Sequence, residues 1–202
     1  MKSNLIAINS LYRGEKNYSN KMAKQNKVSV LHLGCGNEKR LGAIGIDINP
    51  QSAADVIHDL NLFPYPFPAN KFDTIIAEHV LEHLDNLIKV MEEIYRVAKP
   101  GAQLFITSSH FSSVDSFTDI THKHFLTSHS FDYLIPGTLL YKLNYSSVKF
   151  IKRNIWLGPK NVSNFILKII LKVVNSFTNF YEARFAFIFP VGVIYYDLEV
   201  DK

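Results

Sequence analysis

The chain has 202 residues, of which 47% are hydrophobic and 20% charged, and its net charge is +4. This is the composition of one globular domain, and it excludes both a disordered chain and a densely basic nucleic-acid-binding protein. The single cysteine, Cys35, excludes an internal disulfide and suits a reducing compartment, so we expect a cytoplasmic protein. No uncharged apolar run reaches 18 residues, so we expect no transmembrane span.

In chain order, the sequence predicts a lead-in at residues 1–27 and then a single domain at residues 28–202. Seven strand-like runs occur in that domain, at Val28–Leu33, Ala43–Asp47, Asp55–Ile57, Thr74–Ala77, Gln103–Thr107, Val148–Leu157 and Gly192–Val200. Helical segments separate several of these runs, and the best is Leu87–Ala98, which ends at Lys99-Pro100-Gly101. This alternation is typical of a parallel sheet with covered faces.

A second helix is predicted at residues 162–183, before the last strand. Its apolar positions share one helical face: Phe165, Ile169, Val173, Phe177 and Phe180. We expect this face to pack on the sheet. The alternative is that it presses on a membrane surface or a lipid acceptor.

The first strand ends in Gly34-Cys35-Gly36, and the second ends in Asp47. The glycines let the backbone approach a ligand where a Cβ would clash, or else they form a plain turn between strand and loop. Asp47 would accept hydrogen bonds from both ribose hydroxyls, or else cap the turn at Asn49. Only ten residues separate Gly36 from Asp47, so the crossover helix must be trimmed to about one or two turns.

Five pieces in order, VLHLGCG, GIDI, DVIHDL, FPANKFDTIIAEHVLEHL and MEEIYRVAKPGAQLFITS, resemble the S-adenosylmethionine-dependent methyltransferases, most closely the type 11 group. The resemblance covers residues 28–108 by motif. It implies an α/β Rossmann-like three-layer sandwich, with a mostly parallel seven-stranded sheet, an antiparallel last strand and a shortened first helix. It also implies S-adenosyl-L-methionine as cofactor. The chain departs from the family at His32, where an acid is usual, and near Glu38, where a third glycine is usual.

The resemblance assigns the cofactor to Gly34, Cys35, Gly36, Asp47, Ile48, Asp59, Leu60, Glu78 and His79. Asp59 would accept from the adenine amino group, with Leu60 packing on the ring, and the alternative is a capping or loop acid. Glu78 or His79 would contact the methionine amino group. For His83 we expect a packed or solvated position.

The loop after the fifth strand carries four histidines and would lie over the transferring methyl group. We expect His110 and His124 to be catalytic, taking a proton from the acceptor. The alternative is that the loop side chains only hold the loop closed by hydrogen bonds. The spacing Asp119-x-x-His122-x-His124 could hold a metal, but it matches no known metal motif, so we expect none.

The sequence therefore predicts methyl transfer from S-adenosylmethionine to a small-molecule or sugar-containing acceptor by in-line displacement. The slight basic balance does not indicate a nucleic-acid partner. A non-catalytic relative that keeps the fold as a binding module is the first alternative. A nicotinamide-dependent oxidoreductase is the second, although it would need the third glycine and a full first helix.

Overall fold

The computed structural model describes residues 28–202, so the predicted lead-in at residues 1–27 lies outside the described residues. Seven strands form one sheet: β1 Val30–Leu33, β2 Ala43–Asp47, β3 Val56–Ile57, β4 Phe72–Glu78, β5 Ala98–Ser109, β6 Phe150–Leu157 and β7 Val193–Val200. Their order is β3-β2-β1-β4-β5-β7-β6. Strand β7 is antiparallel to β5 and β6, and the other neighbouring pairs are parallel. The predicted fold class is confirmed.

The helices lie in the connections between strands. They are α1 Leu87–Val97, α2 Asp115–Thr118, α3 Phe165–Ser176 and α4 Thr178–Arg184, with 3₁₀ helices at Leu81–His83, Asp132–Leu134 and Leu140–Leu143. Helix α1 begins where the Asn86 side chain accepts a 3.1 Å hydrogen bond from the Lys89 amide, the usual N-cap contact. Its buried positions pack on the sheet: Val90, Met91, Ile94 and Val97. The predicted α1 is confirmed.

The connection between β1 and β2 contains turns and, in the described chain, no helix at all. The shortening of the first helix is therefore complete, beyond the one or two turns that we expected. Gly34 and Gly36 have φ values of +57° and +47°, a left-handed conformation that interrupts a right-handed helix. The remaining residues close two turns, through Glu38 N to the Cys35 carbonyl and Ala43 N to the Arg40 carbonyl.

The segment predicted as one helix at 162–183 is two helices, α3 and α4, that meet at Phe177. Our prediction that its apolar face packs on the sheet is wrong. The five apolar positions are 49–73% exposed: Phe165, Ile169, Val173, Phe177 and Phe180. The helices are instead held by the buried side chains of Leu171 and Tyr181 and by the Asn175 amide, which bonds the Leu157 backbone. No helix among residues 28–202 is long and apolar enough to cross a bilayer.

The predicted site residues follow the carboxyl ends of the parallel strands, which lie along one side of the sheet that we call the carboxyl edge. Strands β1, β2, β4, β5 and β6 run in the same direction, so their carboxyl ends meet at this edge. The residues that follow them are Gly34, Ile48, His79, His110 and Gly158. Because β7 runs the opposite way, the α3–α4 segment leaves and re-enters the sheet at the same edge. Ligands of open α/β sheets bind here.

Candidate functional site

The glycine loop after β1 is closed on one side and open on the other. A Cβ on Gly34 would lie 2.4 Å from Cγ2 of Val80, so this residue must be glycine for the loop to press on the exit of β4. A Cβ on Gly36 would meet no described atom within 4 Å. Between them Cys35 is buried, and burial, with the nearby Asp47 charge, raises the pKa of its thiol. The space beside Gly36 is therefore open, so a ligand could approach the loop backbone there.

Asp47 orders this loop. Its Oδ2 accepts a 2.8 Å hydrogen bond from the Gly36 amide, and its Oδ1 accepts one of 2.8 Å from the Asn49 amide. The turn-capping alternative is therefore present in the structure. Each carboxylate oxygen keeps a second lone pair, so a ribose contact stays a prediction. The neighbouring Ile48 is 64% exposed, an apolar surface beside the carboxylate.

Asp59 and Leu60 lie after β3, on the same side. The Asp59 Oδ1 accepts a 2.9 Å hydrogen bond from the Asn61 amide, the loop-acid arrangement that we considered as the alternative. Leu60 is only 4% exposed and belongs to the core, whereas Leu62 is 60% exposed. The adenine contact of Asp59 and the ring packing of Leu60 stay predictions.

Glu78, at the end of β4, belongs to a buried cluster with His32 of β1 and Arg40. Its carboxylate accepts hydrogen bonds from Nε (2.9 Å) and Nη2 of Arg40, and His32 Nε2 lies 3.4 Å from its Oε2. The Arg40 amide donates to His32 Nδ1 at 3.2 Å, so the proton of this imidazole is on Nε2, facing Glu78. Burial would raise the pKa of Glu78, but the hydrogen bonds from His32 and Arg40 and the Arg40 charge hold it below its usual range.

Arg40 is a further residue of this cluster, and it was not predicted from the sequence. It is 5% exposed, and its Nη1 is buried without a hydrogen-bond partner among residues 28–202. The residue type at position 32 could have indicated this pair. Because a histidine stands there in place of the usual acid, Arg40 can pair with Glu78.

His79 stands at the end of β4 with a φ of +49°, a strained conformation that is often found at functional sites. Its amide donates to the Thr107 carbonyl at 2.8 Å, which fixes it to the end of β5. Its side chain is 38% exposed, and Nδ1 lies 3.4 Å from Oε1 of Glu82. His79 therefore faces the open edge.

The two histidines that we expected to be catalytic are both held by hydrogen bonds, His110 through both ring nitrogens and His124 through Nε2. His110 is fully buried, with Nδ1 2.8 Å from Ser112 Oγ and Nε2 3.1 Å from Glu182 Oε1 on α4. His124 Nε2 donates to the Leu84 carbonyl at 2.8 Å. This geometry favours the alternative, in which these side chains hold the loop closed. The catalytic roles stay predictions.

The pattern Asp119-x-x-His122-x-His124 does not converge on one point. Asp119 accepts from the amide and hydroxyl of Thr121, and His124 turns to Leu84. His122 instead approaches Glu82 and His83, and one potential ligand atom from each of the three lies within 4.8 Å of the others. Sequence spacing could not reveal this group, because His122 comes from a different loop.

A surface cavity of about 460 Å³ adjoins the same loop. The structure lines it with Asp115, Thr118, Asp119 and Ile120. These residues follow β5 at the carboxyl edge but belong to α2 and its exit. The predicted cofactor residues lie elsewhere, around the glycine loop.

One known sequence family matches part of this chain. Residues 31–106 match the sequence model of the methyltransferase domain. The demethylmenaquinone methyltransferase of Listeria welshimeri is 30% identical over 71 residues, which are 35% of this chain and 30% of that protein. The chain thus matches about 30% of the length of this curated relative.

Solved structures extend the likeness to nearly the whole chain. An S-adenosylmethionine-dependent methyltransferase from Archaeoglobus fulgidus has a TM-score of 0.54 at 20% identity, covering 91% of this chain and 92% of the other. The [4+2]-cyclase SpnF has a TM-score of 0.55 at 14% identity, covering 92% and 81%. At these identities the structures show the fold alone. Together with the domain match, they confirm the predicted resemblance.

Proposed function

We propose that this chain binds S-adenosylmethionine and methylates a small-molecule or sugar-containing acceptor. Its residues 31–106 match the methyltransferase domain model. One observation carries the proposal. The Gly34–Gly36 loop is locked by Asp47 at the carboxyl edge of the sheet, with open space beyond Gly36. A preordered backbone with room beside it is what a bound nucleoside needs.

The residues around the loop fit the chemistry of the cofactor. Its carboxylate would meet Nη1 of Arg40, a buried cationic donor that has no hydrogen-bond partner among residues 28–202. Its ribose hydroxyls would meet Asp47, and its adenine the exposed face of Ile48, with Asp59 at the amino group. Its amino group would lie near His79, since Glu78 is already paired. Each part of the cofactor finds a complementary group.

When bound, the cofactor supplies a methyl group on a positively charged sulfur, which is already a strong electrophile. The chain therefore has to align the acceptor for in-line attack, exclude water and accept a proton from an oxygen or nitrogen acceptor. His110 and His124 are the proposed proton acceptors. In His124 the Nε2 atom donates to the Leu84 carbonyl, so Nδ1 is the atom that would take the proton. In His110 the Nε2 atom faces the Glu182 carboxylate, so Nδ1 would take the proton and must first release Ser112.

The acceptor class rests on charge and on the curated relatives. A net charge of +4 spread along the chain gives no concentrated basic surface for a nucleic acid. The curated relatives are named for demethylmenaquinone, which is a small molecule. The lone thiol of Cys35 fits a cytoplasmic site of action.

The two alternatives make different predictions. A nicotinamide-dependent oxidoreductase needs the amino terminus of a helix to bind the pyrophosphate. Residues 34–42 of the described chain form turns instead. The binding-module reading keeps the cofactor and loses the transfer. It is worth testing because SpnF, a similar fold, is named as a cyclase.

Titration calorimetry with S-adenosylmethionine and with its demethylated product tests the proposal. We expect both to bind, and Asp47→Ala to weaken binding by about 1–3 kcal/mol, with Asp201→Ala as an exposed control. Transfer is then measured with methyl-labelled cofactor and a panel of small hydroxyl, amine and carbon acceptors. Folded protein that gives no heat with either ligand would sink the proposal. Binding without transfer to any acceptor would leave the binding module.

A further inference from the structure

Glu82 is a buried carboxylate that lacks an adequate partner. It lies in the 3₁₀ helix just after β4, is 1% exposed, and neither of its carboxylate oxygens has a hydrogen-bond partner among the described residues. Nδ1 of His79 lies 3.4 Å from Oε1 of Glu82, outside good hydrogen-bond geometry. A buried carboxylate is stabilised by a cation beside it.

Two imidazoles beside Glu82 are held in the tautomer that metals bind. His122 Nδ1 lies 3.0 Å from the Ser116 carbonyl, which can only accept, so the proton is on Nδ1. His83 Nδ1 lies 2.9 Å from Thr121 Oγ1, and that hydroxyl already donates to Asp119, so His83 also carries its proton on Nδ1. Both Nε2 atoms therefore keep a free lone pair. Such outer hydrogen bonds are what orient metal-binding histidines.

The backbone brings these residues together across a long sequence separation. The Glu82 carbonyl accepts hydrogen bonds from the amides of Lys123 (2.7 Å) and His124 (3.2 Å), which latches the loop to the 3₁₀ helix. The rings of His83 and His122 lie 4.7 Å apart, centre to centre. Both rings are half-buried, so an ion can reach them from solvent.

We propose that Glu82, His83 and His122 bind a divalent transition-metal ion such as Zn²⁺ or Mn²⁺. Two imidazole nitrogens and one carboxylate are a common ligand set for such ions, and they leave coordination positions open. The site lies just beyond the carboxyl end of β4, the edge assigned to the cofactor. If the proposed function holds, an acceptor hydroxyl bound to the ion would have a lowered pKa and lose its proton more readily.

Calorimetry on the metal-stripped protein tests the site without cofactor or acceptor. We expect one Zn²⁺ or Mn²⁺ ion per chain, and Glu82→Gln or His122→Ala to weaken affinity by at least about tenfold, since even loss of an outer-shell partner has this effect. His129→Ala is the matched control, because both of its ring nitrogens are engaged by Asp132 and Asn179, away from the cluster.

Co²⁺ provides a readout that does not depend on the stability of a variant. We expect visible d–d absorption from Co²⁺ bound to the wild-type protein, displaced by Zn²⁺. Folded wild-type protein that binds none of the three ions overturns the proposal, as does equal affinity in folded His122→Ala. S-adenosylmethionine binding, measured on the same metal-free sample, shows separately whether the proposed function stands.

A second observation concerns the exposed apolar surface of α3, α4 and the residues that follow α4 up to Phe189. Twelve large apolar side chains are at least 38% exposed there: Phe165, Ile166, Leu167, Ile169, Ile170, Val173, Phe177, Phe180, Phe185, Phe187, Ile188 and Phe189. We call this surface the apolar band. Scattered exposed apolar residues are normal, but so many in one segment of the chain indicate an interaction surface.

The exposed charged side chains within the apolar band are all positive. Lys168, Lys172 and Arg184 are exposed, and the only acid between residues 164 and 190 is Glu182. Glu182 is 9% exposed and bonded to His110, so it does not neutralise the surface. An apolar face with long cationic side chains at its margins is complementary to an anionic lipid bilayer, where lysines extend to the headgroups.

We propose that the apolar band docks on the surface of an anionic membrane. Because the α3–α4 segment lies at the carboxyl edge, docking would turn the open side of the sheet toward the lipid. A lipid-dissolved acceptor would then have a short path to the site. That last step rests on the proposed function, and the docking does not.

Vesicle co-sedimentation tests this docking. We expect binding to phosphatidylglycerol-containing vesicles, lost in Phe165→Ser/Ile169→Ser/Phe177→Ser, whereas Leu139→Ser, an 80% exposed apolar residue outside the band, changes nothing. Lys168→Ala/Lys172→Ala should weaken binding about 25-fold, or about fivefold per lysine. No sedimentation with such vesicles overturns the proposal. So does light scattering that shows a dimer abolished by the triple variant, because a second copy would then cover the band.

Discussion

We predict that Arg40→Met destabilises the protein by about 3–5 kcal/mol at neutral pH. The change leaves the Glu78 carboxylate, 13% exposed, without its main partner, and breaking a buried ion pair from one side has this cost. The hydrogen bonds give a similar figure. Arg40 donates two to Glu78, and bonds to charged groups contribute about 1.5–3 kcal/mol each, or about 3–6 kcal/mol together.

Urea denaturation followed by circular dichroism and by the fluorescence of Trp156 measures this loss. The folded-state pKa of Glu78 is lowered, so its contribution is present above the unfolded value of about 4.3 and is lost as the pH falls through the folded value. The deficit of Arg40→Met should therefore shrink in acid. Adding Glu78→Gln, which removes the stranded charge, should recover part of the stability at pH 7.

A deficit below about 1 kcal/mol, the range of exposed ion pairs, would contradict this reasoning. Strict additivity of Arg40→Met and Glu78→Gln would contradict it as well, because partners in direct contact should show a coupling energy.

Asp47→Ala should cost about 3 kcal/mol of stability in the same denaturation assay, because two amides lose a charged acceptor; an unchanged midpoint would show that the carboxylate does not order the loop. Gly34→Ala should destabilise by more than about 1 kcal/mol, and Gly36→Ala by less, since both have positive φ but only the first meets a neighbour; the reverse order in thermal melts would refute this. The hydrogen bond with Asp132 raises the pKa of His129. The stability lost in His129→Gln should therefore be greatest below a pH of about 6.5, and it should vanish as the pH rises through the pKa of the folded state. A loss of stability that grows with pH would contradict this reasoning.

The sheet could be predicted from the sequence because its signals are local. Each strand is a short apolar run bounded by glycine, proline or a polar residue, and all seven predicted runs correspond to observed strands. The amphipathic pattern of residues 162–183 was equally local, but it carries no information on what the apolar face contacts. Both α1 and α3 have an amphipathic pattern, yet the apolar face of α1 is buried and that of α3 is exposed.

The site was harder to predict because its pairs are distant in the chain. Arg40 meets Glu78 across 38 residues, and His122 meets His83 through a latch made by backbone atoms. Backbone hydrogen bonds leave no trace in residue type, so no spacing rule reveals them. His110 was identified from its place near the sheet edge, but its burial depends on Glu182, 72 residues later.

The segment between β6 and β7 begins and ends at neighbouring points of the sheet. Leu157 pairs with Ile194, and the Gly158 amide donates to the Val193 carbonyl at 2.8 Å, so the hairpin is already closed before the chain departs. The entropy of closing such a loop grows slowly, by about 0.6 kcal/mol for each doubling of its length. The register between β6 and β7 therefore does not depend on the length of the segment that connects them. Related chains could exchange it for another segment, and so change the surface that meets an acceptor, while β7 keeps its place between β5 and β6.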